Sequence, residues 1–207
     1  MLKPALQDAL NAQVKNEFYS ANVYLAMVAW FEDQGLPGFA TWMRAQYQEE
    51  LDHGMKIFDF ILDRDVKVVI EAIDAPPLEY GSPLEAFEAA HENEKKVSKM
   101  IDDLYELANK ENDHATQVML QWFITEQVEE EASTKQAVDK LKLAGSDSGA
   151  RIGEDHLSAI DPDGASVAGV DAGEDLDQRR LAGAVRAEQR HHLAGPDNEI
   201  DIGKHGD

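Results

Sequence analysis

The sequence predicts an all-α protein. Its core is an antiparallel four-helix bundle with one long crossover between the second and third helices. A Gly/Ala/Asp-rich, largely irregular C-terminal tail follows. Three observations predict this. Four long segments carry apolar residues at alternating steps of three and four, the rhythm of a bundle helix. One connection, 65–82, is long and interrupted by Pro76, Pro77, Gly81 and Pro83 at its end. After Gly145 the composition changes: the last 63 residues hold 10 of the 14 glycines and no aromatic residue. We therefore divide the chain into a bundle, 1–144, and an atypical extension, 145–207.

The first helix is expected from about Ala5 to Gln34, with the stripe Leu10, Val14, Glu17, Ala21, Tyr24, Val28, Phe31. Pro4 suits its first turn and Gly35 its C-terminal stop. A short turn at Leu36-Pro-Gly38 should send the second helix back antiparallel, over about Gly38 to Arg64. Its stripe reads Phe39, Met43, Gln46, Glu50, His53, Ile57, Phe60. A helix of that length spans roughly 40 Å, and an extended connection of eighteen residues reaches about 60 Å. The crossover can thus travel the whole bundle. Ser82 and Glu85 form a capping box for the third helix, about 83–111, with Pro83 at its first position. That helix carries Phe87, Ala90, Glu94, Val97, Ile101, Leu104, Ala108. Asn112 or Asp113 marks a break and a cap. The fourth helix, about 113–143, carries Leu120, Phe123, Gln127, Glu130, Thr134, Ala137, Leu141, and Gly145-Ser-Asp-Ser-Gly149 should end it. The tail has 14 acidic and 6 basic side chains and too little apolar surface for a core of its own. A weak helix is expected near Glu174–Leu193. The histidines of the tail, 156, 191, 192 and 205, read as surface residues.

Composition narrows the partners. The 41 acidic and 19 basic residues leave a formal net charge of −22, which argues against nucleic acid or an anionic membrane and favours cations. With no cysteine, disulfides, iron–sulfur clusters and thiolate zinc sites are excluded. The start, Met1-Leu-Lys-Pro4, lacks a signal peptide's apolar segment, and no run of about 18 apolar residues occurs. A cytoplasmic location is the expectation.

The bundle stripes contain ionisable residues where apolar ones belong. Glu50 and His53 are one helical turn apart on one face. A single Glu on such a stripe is usually an edge residue with its head in water. Here the polar positions repeat: Glu17, Glu50 and His53 shifted by 77 fall on Glu94, Gln127 and Glu130, and Glu49 falls on Glu126. Each two-helix half sets one polar group opposite a pair. Burying unpaired carboxylates costs several kcal/mol or more each, so a shared cation is the economical explanation. Carboxylates with one imidazole and no thiolate suit Fe, Mn or Zn, and several bridging carboxylates suit two ions.

The pattern Glu17, Glu49-Glu50-x-x-His53, Glu94, Glu126-Gln127-x-Glu129-Glu130, with Tyr24 two turns beyond Glu17, resembles the bacterial non-haem ferritins over about residues 1–143. The resemblance implies a ferroxidase and iron store with a di-iron centre. One iron would take Glu17, Glu50 and His53; the other Glu50, Glu94 and Glu130. Gln127 would lie close by as a hydrogen-bonding residue. A third iron site would use Glu49, Glu126, Glu129 and Glu130. Tyr24 would be a redox-active or hydrogen-bonding neighbour. Oxidation would use O2 or peroxide, and the subunits would form a hollow 24-mer shell. The half with His53 is expected to fill first.

Bacterioferritins carry a second Glu-x-x-His and a haem-binding Met after the first Glu; here stand Gln127-x-x-Glu130 and Leu51, so no haem is expected. Rubrerythrins need cysteines. Two features depart from the resemblance. Gln117 and Leu120 stand where animal ferritins line a threefold pore with carboxylates, leaving Glu111 and Asp113 as alternatives. Ser148–Ile160 matches the usual fifth helix poorly, and the tail could be an extension, a targeting segment or a frameshifted end. Two other readings fit the residues. One is a non-enzymatic iron or zinc carrier whose tail docks a partner. The other is a di-iron oxidase of an organic substrate, which the bulky Tyr24 and Phe123 disfavour.

Overall fold

The computed structural model describes residues 2–146. The expectations for the tail, including the helix near 174–193 and the role of the extension, lie outside these residues. Within them the chain forms α1 (Pro4–Asp33), α2 (Pro37–Asp63), α3 (Pro83–Lys110) and α4 (His114–Ser146). These are the four predicted helices, with no end shifted by more than three residues.

Local chemistry accounts for the boundaries. Proline opens α1, α2 and α3, where a missing N–H removes nothing from the helix. Gly35, at φ +69°, makes the turn after α1, so the bend is Gln34-Gly35-Leu36, and Pro37 already belongs to α2. Ser82 Oγ accepts the Glu85 N–H at 3.2 Å, and Glu85 Oε2 reaches back to the Gly81 N–H at 3.2 Å. The capping box is therefore present, displaced by one residue on its return arm. Asn112 adopts φ +57° and Asp113 caps α4, its Oδ1 accepting the Thr116 N–H at 3.0 Å. α4 runs to Ser146, within the 145–149 stretch expected to end it.

Phe60 departs from the expected stripe of α2. It is only half-buried, and Ile61 takes the core position instead. The residue drifts off the stripe because 3.6 residues per turn falls behind a strict three-four count.

Arg64, just after α2, grips Asp113 through Nη1 at 2.9 Å and Nη2 at 2.7 Å. At the other end Phe87 of α3 packs on Phe31 and Phe39, with ring centroids 5.8 and 5.2 Å apart. The end of α2 therefore meets the start of α4, while the start of α3 sits at the α1–α2 turn. The crossover must run the length of the bundle, as its reach predicts. Asn11 Oδ1 pins its early part by accepting the Val69 N–H at 2.7 Å. α1 and α2 approach closely at Gly54, where a Cβ would lie 2.6 Å from Phe18 Cε1. No helix among the described residues is long and apolar enough to cross a membrane.

The core divides in two. One cluster gathers Met27, Phe31, Phe39, Met43, Phe87 and Leu141; the other gathers Leu6, Leu10, Ile57, Ile61, Leu120 and Phe123. Burying each large side chain contributes about 1.5–3 kcal/mol. Between the clusters lies a polar layer.

Candidate metal centre

Every bundle helix contributes to that layer. α1 supplies Glu17 and, two turns on, Tyr24. α2 supplies Glu50 and His53 from consecutive turns, α3 supplies Glu94, and α4 supplies Gln127 and Glu130. All seven are buried; Glu17, Tyr24 and Glu94 expose none of their surface. The helical rhythm that buries the flanking apolar residues forces these side chains inward.

Glu17, Glu50 and His53 each present one ligand atom within 4.8 Å of the others. His53 Nδ1 stands 3.7 Å from Glu50 Oε2. Around them the hydrogen bonds are directional. Gln13 Nε2 donates to Glu17 Oε1 at 2.9 Å. The Tyr24 hydroxyl donates to Glu94 Oε1. Gln127 Nε2 donates to Glu94 O at 3.2 Å and Oε2 at 3.3 Å. What these bonds leave over is informative. Glu17 Oε2, Glu50 Oε2, His53 Nδ1, Gln46 Oε1 and Gln127 Oε1 are buried without a hydrogen-bond partner. Buried polar atoms are rarely left so, and three of the five belong to residues of this one set with metal-ligand spacing. The donor set is one a cation fits: hard carboxylate oxygens and an imidazole.

The electrostatics agree. Burial, opposed by the bond from Gln13, pushes Glu17 up to about 7. Burial and the neighbouring Glu94 and Glu17 raise Glu50 well above the carboxylate range. Burial raises Glu94 too, against bonds from Tyr24, Gln127 and Asn93. Glu130 is raised by burial and then by Glu94. Burial first and Lys56 second lower His53 to about 4, so its imidazole is neutral at pH 7. A divalent ion would replace the protons these carboxylates otherwise retain.

The residues named for a third site lie toward the α2–α4 side. Glu49 and Glu126 are half-buried, and Glu129 is exposed. Burial and the charge of Glu126 push Glu49 up to about 7, and Glu130 senses Glu49, Glu126 and Glu129. The second set of atoms with ligand spacing is His53, Glu126 and Glu130, a different selection from the four carboxylates. The sequence reading also missed supporting residues. Gln13 orients Glu17, and its position one turn before Glu17 is the signal that was available. Gln46 Nε2 donates to Glu49. Trp122 sets its edge against the His53 ring, centroids 5.3 Å apart, though it lies off the buried stripe. Asn93 joins Ser20 and Glu94 across α1 and α3, a contact that no spacing within a helix reveals.

Residues 7–144 match the Ferritin-like domain of the Ferritin family. The chain is 45% identical over 145 residues to a protein named bacterial non-heme ferritin from Bacteroides fragilis (strain 638R), covering 70% of this chain and 91% of that one. It is 45% identical over 148 residues to the bacterial non-heme ferritin of Staphylococcus saprophyticus, covering 72% and 89%. Among solved structures it is similar to an open pore ferritin from the hyperthermophilic archaeon Archaeoglobus fulgidus. That likeness has a TM-score of 0.72, 44% identity, and coverage of 80% of this chain and 98% of that one.

Proposed function

This chain belongs to the ferritin family, and from that premise we propose that it stores iron. In this reading it oxidises Fe(II) with O2 or peroxide at the buried centre and keeps the ferric product as a mineral inside a hollow 24-subunit shell in the cytoplasm. The observation that carries the proposal is the group of unpartnered buried atoms, Glu17 Oε2, Glu50 Oε2 and His53 Nδ1, in one cluster with ligand spacing.

Iron is substrate and cargo here. Glu17, Glu50 and His53 hold one Fe(II); Glu50, Glu94 and Glu130 hold the second, with Glu50 between them. Carboxylates are hard donors and stabilise Fe(III) over Fe(II), so the ligand set favours oxidation. Tyr24 and Gln127 fix Glu94 by donating to it, which leaves Gln127 Oε1 free to accept from a water or a protonated product. His53 is neutral at pH 7 and binds without first losing a proton. Glu49, Glu126 and Glu129 receive iron on its way between the centre and the store.

An oxygen electrode tests this. Fe(II) added to the wild-type protein should trigger rapid O2 uptake without any organic substrate. Glu17→Ala, Glu50→Ala and His53→Ala should each abolish the fast phase while retaining the helical circular-dichroism signal. Tight Fe(II) binding with slow uptake in the wild type would make the protein a carrier instead. Fast uptake in all three variants would overturn the site.

A further inference from the structure

A cavity of about 550 Å³ opens between α1, the crossover and α3. Lys15, Tyr19 and Ser20 line it from α1, and Asn93, Lys96 and Met100 from α3. At its inner end Asn93 Nδ2 donates to Ser20 Oγ at 3.0 Å and, more weakly, to Glu94 Oε1 at 3.4 Å. Ser20 is buried and Asn93 half-buried. One layer of neutral side chains therefore separates the cavity from a carboxylate of the metal centre.

The two sides of the centre differ in charge. On the α2–α4 side stand Glu49, Glu126 and Glu129, close enough to perturb Glu130. That side attracts a divalent cation. In the α1–α3 cavity Lys15 and Lys96 are matched by Asp74 and Glu92, so the lining has no net charge to draw Fe2+ inward. Its lining offers an amide, a hydroxyl and a phenol, from Asn93, Ser20 and Tyr19, groups that solvate a small uncharged polar molecule. Only two hydrogen bonds from Asn93 close it, one to the Ser20 hydroxyl and a longer one to Glu94 Oε1, so Asn93 can release them and re-form them.

We propose that this cavity is the passage by which the oxidant, an uncharged molecule with an O–O bond, reaches the centre, and that Asn93 with Ser20 is its gate. Iron and oxidant then approach from opposite faces and do not compete for one route. This rests on the ferroxidase reading above. The reaction balances for either source. Two Fe(II) give two electrons to O2, which takes up two protons and leaves as H2O2. Alternatively they give two electrons to H2O2, whose O–O bond breaks and which, with two protons, leaves as two waters. Asn93 and Ser20 touch neither iron; they control access.

The full-length protein tests this by stopped flow. It is loaded anaerobically with Fe(II) and mixed with a series of O2 or hydrogen peroxide concentrations. Ser20→Leu should narrow the passage and lower the second-order rate constant for the oxidant about tenfold. Asn93→Ala should open it and raise that constant severalfold. In Ser20→Leu the maximal rate at saturating oxidant and the anaerobic Fe(II) stoichiometry should stay close to wild type; Asn93→Ala also removes a hydrogen bond to Glu94 Oε1, so there the ratio of the second-order constant to the maximal rate carries the test. Asn93→Ala introduces no bulk, so it remains informative if Ser20→Leu folds poorly. An effect confined to peroxide, or to O2, supports the passage and names its user. Rate constants unchanged for both oxidants in both variants would overturn the proposal. So would Ser20→Leu slowing Fe(II) binding, which would make the cavity the cation's route. A wild-type protein that binds no Fe(II) defeats the ferroxidase reading itself; a wild type that oxidises normally alongside indifferent variants defeats only the passage.

Discussion

Replacing Glu17 by Gln should stabilise the metal-free protein and at the same time remove its ability to hold iron. Glu17 is fully buried, and burial pushes its carboxyl from 4.5 up to about 7. The folded chain therefore keeps a proton that the unfolded chain has already released. Because the folded value is raised, stability is lost as pH rises from about 4.5 to about 7, and the loss is complete above that window. At roughly 1.4 kcal/mol per pH unit, such a shift corresponds to about 3 kcal/mol. Gln is nearly isosteric, cannot ionise, and its amide oxygen can still accept from Gln13 Nε2. The variant should thus gain up to about 3 kcal/mol at pH 8, or about 6–12 °C in Tm for a chain of this size, and under about 1 kcal/mol at pH 5. Thermal unfolding followed by circular dichroism in excess chelator, at both pH values, measures it. Equal Tm values for the two proteins at pH 8, or an equal gain at pH 5 and pH 8, would refute the reasoning. Either result would mean that the buried carboxylates are not held together against their own charge.

Three further outcomes follow from the geometry. Anaerobic binding of Fe(II) or Zn(II) should release more protons at pH 6 than at pH 8, because Glu17 and Glu49, each pushed up to about 7, still hold protons at the lower pH; calorimetry in buffers of different ionisation heat reads the difference, and equal release would contradict it. Asp113→Ala should cost about 2–4 kcal/mol, since it removes both an N-cap and the two-pronged grip on Arg64. The Arg64 guanidinium holds the Asp113 carboxyl well below the usual range, so this contribution should be present above about pH 4 and fade on acidification; a chemical-denaturation series against pH checks it. Gly54→Ala should destabilise by about 1–3 kcal/mol, because its Cβ would meet the Phe18 ring at 2.6 Å; the companion Phe18→Leu, Gly54→Ala protein should recover part of the loss.

The fold was legible because bundle helices advertise themselves. The stripes through Leu10, Val14, Ala21 and through Phe87, Ala90, Val97 repeat at helical spacing, and Pro4, Pro83 and Ser82 mark helix starts by local chemistry alone. The crossover's course followed from length. Phe60 was misplaced for a local reason. A strict three-four count accumulates phase error by the end of a 27-residue helix. The polar layer was legible because the same shift of 77 residues maps one half onto the other. Its supports were not. Gln13 and Gln46 look like ordinary polar residues until their partners are known. Ser20 meets Asn93 across 73 positions, a pairing set by how α1 lies on α3, and no periodicity within one helix encodes it. The choice of His53 with Glu126 and Glu130 likewise depends on how α2 faces α4.

Anomalous diffraction at the iron edge, on crystals of the protein loaded anaerobically with Fe(II), tests the central claim most directly. The account predicts two adjacent peaks inside each bundle, one bounded by Glu17, Glu50 and His53 and the other by Glu50, Glu94 and Glu130, with Glu50 shared. Iron found only on the acidic surface, with the buried layer empty, would contradict it.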